Sequence, residues 1–242
     1  MAAGSLWRSA ARSHPGKVRE HNEDAFLDHP EQGLWVVADG MGGYHGGARA
    51  SRLVVDNLAE LPMQAGFEVR LRQLRQCLHG LNRRLCEEPT VVREQPRPVM
   101  GSTVVSLLLD GSRAACVWAG DSRCYLWRSH RLYQLTRDHS LEQRLIDEQG
   151  LSAEQARCNP SAHALTRAIG AGDQLSLGVL GLETYPGDVF MLCSDGLYRS
   201  LSQEALSHAL ALASPDAALE RLFEQALQGA ARDNLTAVVV RL

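Results

Sequence analysis

The chain has 242 residues, 45% hydrophobic and 22% charged, which suits one soluble domain of α/β or sandwich type with a sizeable core. A formal net charge of -3 at pH 7 gives no electrostatic reason to expect nucleic acid or an anionic membrane as partner. No stretch is long and apolar enough to span a membrane, and the N-terminus has no apolar leader segment. The six cysteines are scattered without a C-x-x-C pair, so reduced, mostly buried thiols and a cytoplasmic location are expected.

Residues 34–38 form an apolar run that fits a buried strand. From Ala50, the apolar positions Leu53, Val54, Leu58 and Leu61 keep helical spacing until Pro62 stops them. Leu71, Leu74, Leu78, Leu81 and Leu85 repeat the pattern on a second helix, and a connector with Pro89, Pro96 and Pro98 follows. Residues 103–109 and 113–119 flank Asp110-Gly111, a pair that favours positive φ and predicts a tight hairpin. Residues 124–128 and 131–135 read as further strands. Ser140 with Gln143, and Ser152 with Gln155, have the spacing of capping boxes, with Gly150 as a helix stop between them. Residues 188–193 make another strand, Ser202 and Ser214-Pro215 open two Ala/Leu-rich helices, and residues 235–242 close the chain as a strand. Helices come in pairs and strands in hairpins, without β-α-β alternation. That predicts antiparallel sheet covered by antiparallel helices rather than a doubly wound parallel sheet.

Two segments run an apolar strand into Asp-Gly and so put Asp39 and Asp195 at strand ends. A strand fixes a carboxylate, and the glycine after it lets the next carbonyl approach a ligand. Glu23-Asp24 near the start, Asp121 in the middle and Asp233-Asn234 near the end complete a set of acids sufficient for a multinuclear oxygen-ligand site. None of these acids has a cysteine beside it, and hard cations take carboxylate, carbonyl and water oxygen, so Mg²⁺ or Mn²⁺ suits them better than zinc or copper. An isolated Asp-Gly is more often a plain turn, the reading Asp110-Gly111 takes; for Asp39 and Asp195, composition alone leaves the two readings level. Arg19, four residues before Glu23, offers paired donors matched to phosphate oxygens, although an arginine in a polar segment is more often simply solvated. Gly101-Ser102-Thr103 lacks the G-x-S-x-G elbow of a nucleophile and reads as a strand start. Gly40-Met41-Gly42-Gly43 lacks the Lys-Ser/Thr of a phosphate loop.

The chain carries, in order, Gly16-Lys17-Val18-Arg19 with Asn22-Glu23-Asp24, then Val37-Ala38-Asp39-Gly40-Met41-Gly42-Gly43, Gly101-Ser102-Thr103 and Ala119-Gly120-Asp121-Ser122-Arg123. Thr136-Arg137-Asp138-His139-Ser140, Leu165-Thr166-Arg167-Ala168-Ile169-Gly170, Ser194-Asp195-Gly196-Leu197 and Asp233-Asn234-Leu235-Thr236 follow. This series resembles the metal-dependent PP2C-type (PPM) protein serine/threonine phosphatases in their compact bacterial form. The resemblance covers nearly the whole chain from Gly16 onward. It implies an α+β fold, a four-layer α-β-β-α sandwich of two antiparallel sheets flanked by helix pairs, as a single domain over 1–242.

The resemblance also implies roles. Asp39 would bridge two ions. Glu23 and the Gly40 carbonyl would complete one ion's protein ligands, and Asp195 with Asp233 the other's. Asp121 with Asp195 would hold a third, weaker ion, Arg19 would bind phosphate, and Asp24 and Asn234 would orient the ligands. Residues 140–164 match a mobile flap beside the site. The implied reaction is hydrolysis of phosphoserine or phosphothreonine on proteins by a water bridging two Mn²⁺ or Mg²⁺ ions, with no phosphoenzyme. The implied partners are phosphoproteins, including a Ser/Thr kinase and its targets; a setting beside type VI secretion fits the family's habits, and a monomer is expected. Met41 stands where eukaryotic relatives place a histidine, and Tyr44 and Ala48 where bacterial members often carry His and Glu. His45 lies next door, and the general acid stays unassigned. A catalytically silent module of the same fold, and a phosphohydrolase acting on a regulatory phosphoprotein or a small phosphoester, are the alternatives.

Overall fold

In strand β3 (Leu34–Met41) successive side chains enter two different cores. Leu34, Val36 and Ala38 face a helical layer, while Trp35 and Val37 face a second sheet. A strand buried on both faces reads as a continuous apolar run rather than as an alternation. The same division recurs at the other end of the chain, where Leu235, Ala237 and Val239 of β11 (Leu235–Arg241) enter one core and Val238 and Val240 another. The structure is a computed structural model that describes residues 7–42, 46–62, 66–87 and 100–242.

One sheet has the order β1 (Arg8–His14), β11, β10 (Val189–Cys193), β7 (Arg123–Arg128) and β8 (Arg131–Gln134). The other runs β2 (Asp24–His29), β3, β5 (Val104–Asp110), β6 (Arg113–Ala119) and β9 (Gly178–Glu183), with the two-residue β4 (Gly101–Ser102) pairing β3 beyond the end of β5. These pairings are antiparallel. Helices α1 (Gly46–Ala59) and α2 (Phe67–Glu87) cover the second sheet through Ala50, Val54, Leu58, Leu74 and Leu78. On the first sheet lie α6 (Gln203–Leu210) and α7 (Pro215–Gln228), through Leu206, Leu219, Leu222 and Phe223. Between the sheets, Trp35, Phe190, Leu192, Val238 and Val240 form the third core. Three cores separate four layers, so the fold is the expected α-β-β-α sandwich.

Several expectations change in detail. Strands β1, β2 and β9 have no counterpart in the sequence reading. β1 and β9 are edge strands with polar or alternating sequence, and β1 gains its cover from α7, where Arg12 lies 4.8 Å over the Phe223 ring. The hairpin turn is Gly111-Ser112 rather than Asp110-Gly111, because Asp110 pairs with Arg113. Of the two capping boxes, the reciprocal one forms at Ser152 and Gln155, opening α4 (Ala153–Arg157). Ser140 caps α3 (Leu141–Gln149) through its hydroxyl alone, and Gly150 closes that helix at φ 65. Cys116, Cys124 and Cys193 are buried as expected, whereas Cys158 is exposed because α4 lies on the surface; all six thiols are free. The connector with Pro89, Pro96 and Pro98 lies outside the described residues.

Candidate metal centre

The two Asp-Gly pairs are not turns. Asp39, Gly40 and Met41 still belong to β3, because β4 supplies Gly101 and Ser102 as new partners where β5 leaves off. Asp195 and Gly196 open the short helix α5 (Asp195–Arg199), with Ser194 as its N-cap residue. The turn reading, level with the ligand reading from composition alone, gives way to a longer strand in one case and a helix start in the other.

Hydrogen bonds fix Asp39 from both sides of its peptide. Its N–H donates to Thr103 Oγ1 at 3.0 Å, and its carbonyl accepts from Thr103 N at 2.9 Å and Ser102 Oγ at 3.1 Å. Gly40 N donates to the Glu23 carbonyl at 3.1 Å. A Cβ on Gly40 would lie 2.1 Å from the Gly47 carbonyl oxygen, and one on Gly47 would lie 2.7 Å from Glu23 Oε1. The paired glycines thus let β3, the first turn of α1 and the Glu23 carboxylate close on one point. Gly196 does the same on the opposite wall, where a Cβ would meet the Asn234 carbonyl at 2.1 Å.

Asn234 ties the loops together. Its Oδ1 accepts from Glu23 N at 2.8 Å, and its Nδ2 donates to the carbonyls of Pro15 and His21, each at 3.0 Å. Asp24 faces Asp39 across the β2–β3 ladder and accepts from Ser194 Oγ at 2.8 Å, just ahead of Asp195. Its other oxygen is buried without a hydrogen-bond partner, and burial pushes this carboxyl up to about 7.

The result is a cleft of about 1210 Å³ at one end of the sandwich, lined by Arg19, Glu23, Asp39, Gly40, Asp121, Asp195, Asp233 and Asn234. All the site residues singled out in the sequence line it except Asp24, which lies behind it. Burial, then repulsion from Asp24, Asp195, Asp121 and Asp233, raises the Asp39 carboxyl well above the usual carboxylate range. Burial and the Asp195 charge push Asp121 up to about 7. Asp195 is raised first by burial, with Arg199 opposing. Carboxylates that repel one another in this way form a strong sink for positive charge.

The donor set is all oxygen, which fits Mg²⁺ or Mn²⁺. Among the described residues, no group of three or more His, Cys, Asp or Glu forms a ready-made cage. Ions held here would complete their shells with water and the Gly40 carbonyl, as magnesium does in most sites. Glu23, Asp39, Asp195 and Asp233 therefore fit two ions. The place assigned to a third is different: Arg199 Nη2 lies 3.0 Å from Asp121 Oδ2, and its Nη1 3.4 Å from Asp195 Oδ2.

The sequence reading did not single out Arg199. Its signal is the four-residue spacing from Asp195, visible only once Asp195 is known to begin a helix. Thr103 was read as a strand start, yet its hydroxyl holds the Asp39 peptide and meets Ser122 Oγ at 2.7 Å. Arg19 bonds Asp233 at 2.9 Å on the exposed rim. In the segment matched to a flap, α3 and α4 are closed off by Leu141 N to Ala164 O and Glu142 N to Ala162 O, both 2.8 Å. His163 within this segment and Leu165 just after it line the cleft, as does Met41. Gly43, Tyr44 and His45 lie outside the described residues.

The model of the protein phosphatase 2C family matches residues 12–239. The serine/threonine protein phosphatase PstP of Mycobacterium tuberculosis is 36% identical over 232 residues, which is 96% of this chain and 44% of that protein. The chain thus spans less than half the length of this relative. Among solved structures, PppA, described as a key regulatory component of T6SS in Pseudomonas aeruginosa, has a TM-score of 0.89 at 43% identity over 98% of each chain. The catalytic domain of PstP in complex with two manganese ions has a TM-score of 0.84 at 35% identity over 97% of each chain. With that family model matching residues 12–239, the chain belongs to the protein phosphatase 2C family.

Proposed function

We propose that the chain is a metal-dependent protein phosphatase that hydrolyses phosphoserine and phosphothreonine by direct attack of a water bridging two Mn²⁺ or Mg²⁺ ions. The observation that carries this reading is the convergence of Glu23, Asp39, Asp195 and Asp233, from four separate parts of the chain, on one cleft with the Gly40 carbonyl. Glu23, the Gly40 carbonyl, Asp39, Asp195 and Asp233 would hold the two ions, with Asp39 the acid common to both. Bound there, two divalent ions supply an acidified water and neutralise charge on the phosphoryl group.

The side chains divide the remaining work. Thr103 and Ser102 fix the peptide of Asp39, so its carboxylate keeps its aim. Asn234 holds the Glu23 backbone and the loop that carries Arg19. Arg19 is half exposed and bonded only at the rim, so its guanidinium can leave Asp233 for two phosphoryl oxygens. The Thr103 and Ser122 hydroxyls are buried and bonded to each other, which removes them as nucleophiles and favours attack by water without a phosphoenzyme. A silent binding module would have no need of a complete acid set.

Residues 1–242 are read as one catalytic domain acting as a monomer, since one chain supplies every wall of the cleft. Its substrates are taken to be phosphoproteins of the cytoplasm, opposed by a Ser/Thr kinase, and the likeness to PppA suggests a setting beside type VI secretion. No helix among the described residues is long and apolar enough to cross a membrane. The test is hydrolysis of a phosphothreonine peptide, with a phosphotyrosine peptide alongside, in EDTA and after Mn²⁺ or Mg²⁺ is restored. Metal-dependent turnover that prefers phosphothreonine is expected; no turnover by the folded protein with any divalent ion would move the weight to a binding module.

A further inference from the structure

We propose that this chain fills the place of a third ion with its own guanidinium, so that the cleft takes two divalent ions and Arg199 is the fixed cation between Asp121 and Asp195. The proposal rests on the two-metal reading and concerns what lies next to it.

Three observations carry the argument. First, Arg199 reaches both acids at once. Asp195 opens α5 and Arg199 stands four residues on, so they share a helix face. Nη1 turns to Asp195 Oδ2 at 3.4 Å, and Nη2 to Asp121 Oδ2 at 3.0 Å. A planar fork with two terminal NH₂ groups can bridge two carboxylates in this way; a lysine's single ammonium suits it less.

Second, the helix cannot carry the guanidinium far. Leu197 is fully buried and Tyr198 nearly so, Gly196 abuts the Asn234 carbonyl, and Ser200 Oγ donates to the Gly196 carbonyl at 2.7 Å. A further guanidinium, that of Arg123, lies 3.7 Å over the Tyr198 ring and is itself bonded twice to Asp138, at 2.9 and 2.7 Å. Arg199 therefore projects from an anchored turn.

Third, Asp121 needs this partner. Its side chain is 6% exposed, and a buried carboxylate that stays charged calls for a paired cation, which Arg199 supplies at 3.0 Å. A divalent ion between Asp121 and Asp195 would have to expel the guanidinium or settle within a few ångströms of it, against like-charge repulsion. Arg199 meets Asp195 at Oδ2, on the side of this carboxylate toward Asp121. Arg199 is thus a positioning residue: it fixes the acid wall on which the two ions rest.

The test counts Mn²⁺ by calorimetric titration of the metal-stripped protein, checked by bound manganese after dialysis. The unaltered protein is expected to bind two ions, Arg199→Gln three, and Arg199→Gln with Asp121→Asn two again. Three ions in the unaltered protein, or two in Arg199→Gln, would overturn the proposal. No binding in the unaltered protein would overturn the two-metal reading beneath it. If Arg199→Gln does not fold, the count in the unaltered protein decides between two and three on its own.

Discussion

Two arginine–aspartate pairs flank the cleft at almost the same separation, Arg19–Asp233 at 2.9 Å and Arg199–Asp121 at 3.0 Å. Their surroundings differ. The first pair is 54% and 42% exposed, the second 36% and 6%. On the rim, water competes for both partners and such a pair is worth about 0–1 kcal/mol, so Arg19 gives up little in turning to a phosphate. At the floor, Asp121 has almost no water to turn to, so releasing Arg199 leaves a buried charge without a counterion. Equal distances therefore serve opposite ends: a cation that can be lent to substrate, and one that is built into the wall.

The hardest way to break this comparison is to remove the carboxylate between the two pairs. Asp39→Asn takes away charge but little volume and is expected to lower phosphothreonine turnover by at least about 100-fold, since even groups behind metal ligands cost 10–100-fold. Its melting temperature in EDTA should not fall, because one member of a mutually repelling set is gone. A variant with unaltered rates in saturating Mn²⁺ would show that Asp39 is not a ligand.

The rim pair gives the next largest effect. Arg19→Ala is expected to reduce kcat/KM on phosphopeptide by about 10–100-fold, the value of a charge-assisted hydrogen bond of about 1.5–3 kcal/mol. Its stability should move by less than about 1 kcal/mol in urea titrations. The floor pair should behave in the reverse sense. Arg199→Gln is expected to lose about 1–3 kcal/mol of stability in EDTA, below the ~3–5 for a fully buried pair because the guanidinium is a third exposed. Added Mn²⁺ should recover part of that loss. If Arg19→Ala proved the less stable of the two, the contrast between rim and floor would be wrong.

The smallest effect is a slope. Asp24 and Asp121 have carboxyls raised to about 7 in the folded protein, against 3.8 for an unperturbed aspartate. Between those values the folded state holds protons that the unfolded state has released. Metal-free protein should accordingly melt at progressively lower temperature as pH rises from about 4 through about 7. With Mn²⁺ present the trend should flatten or reverse, since ions and protons compete for the same oxygens. Melting curves in EDTA that rise across this window would contradict the electrostatics of the cleft.

Much of the fold was legible because the central strands are buried on both faces. Runs such as 34–38, 188–193 and 235–242 are apolar and short, a length that favours buried strand over buried helix. The edges were not legible. β1 reads Arg-Ser-Ala-Ala-Arg-Ser-His and owes its place to pairing with β11 and cover from α7, neither of which leaves a local signal. The acids of the site were legible from residue type, and the structure gathers Glu23, Asp39, Asp121, Asp195 and Asp233 on one cleft. Their local geometry was not: composition leaves turn and ligand level at both Asp-Gly pairs, whereas β4 extends the strand through Asp39 and a helix starts at Asp195. Arg199 escaped notice for the same reason, because its four-residue spacing has meaning only on a helix.

The most direct measurement follows phosphothreonine-peptide hydrolysis by the unaltered protein while free Mn²⁺ is raised from an EDTA-stripped start, with bound manganese counted in the same samples. Turnover should be absent without metal and should rise with occupancy of two ions per chain. Turnover by protein shown to hold no divalent ion would contradict the assignment of this acid cleft as a metal centre.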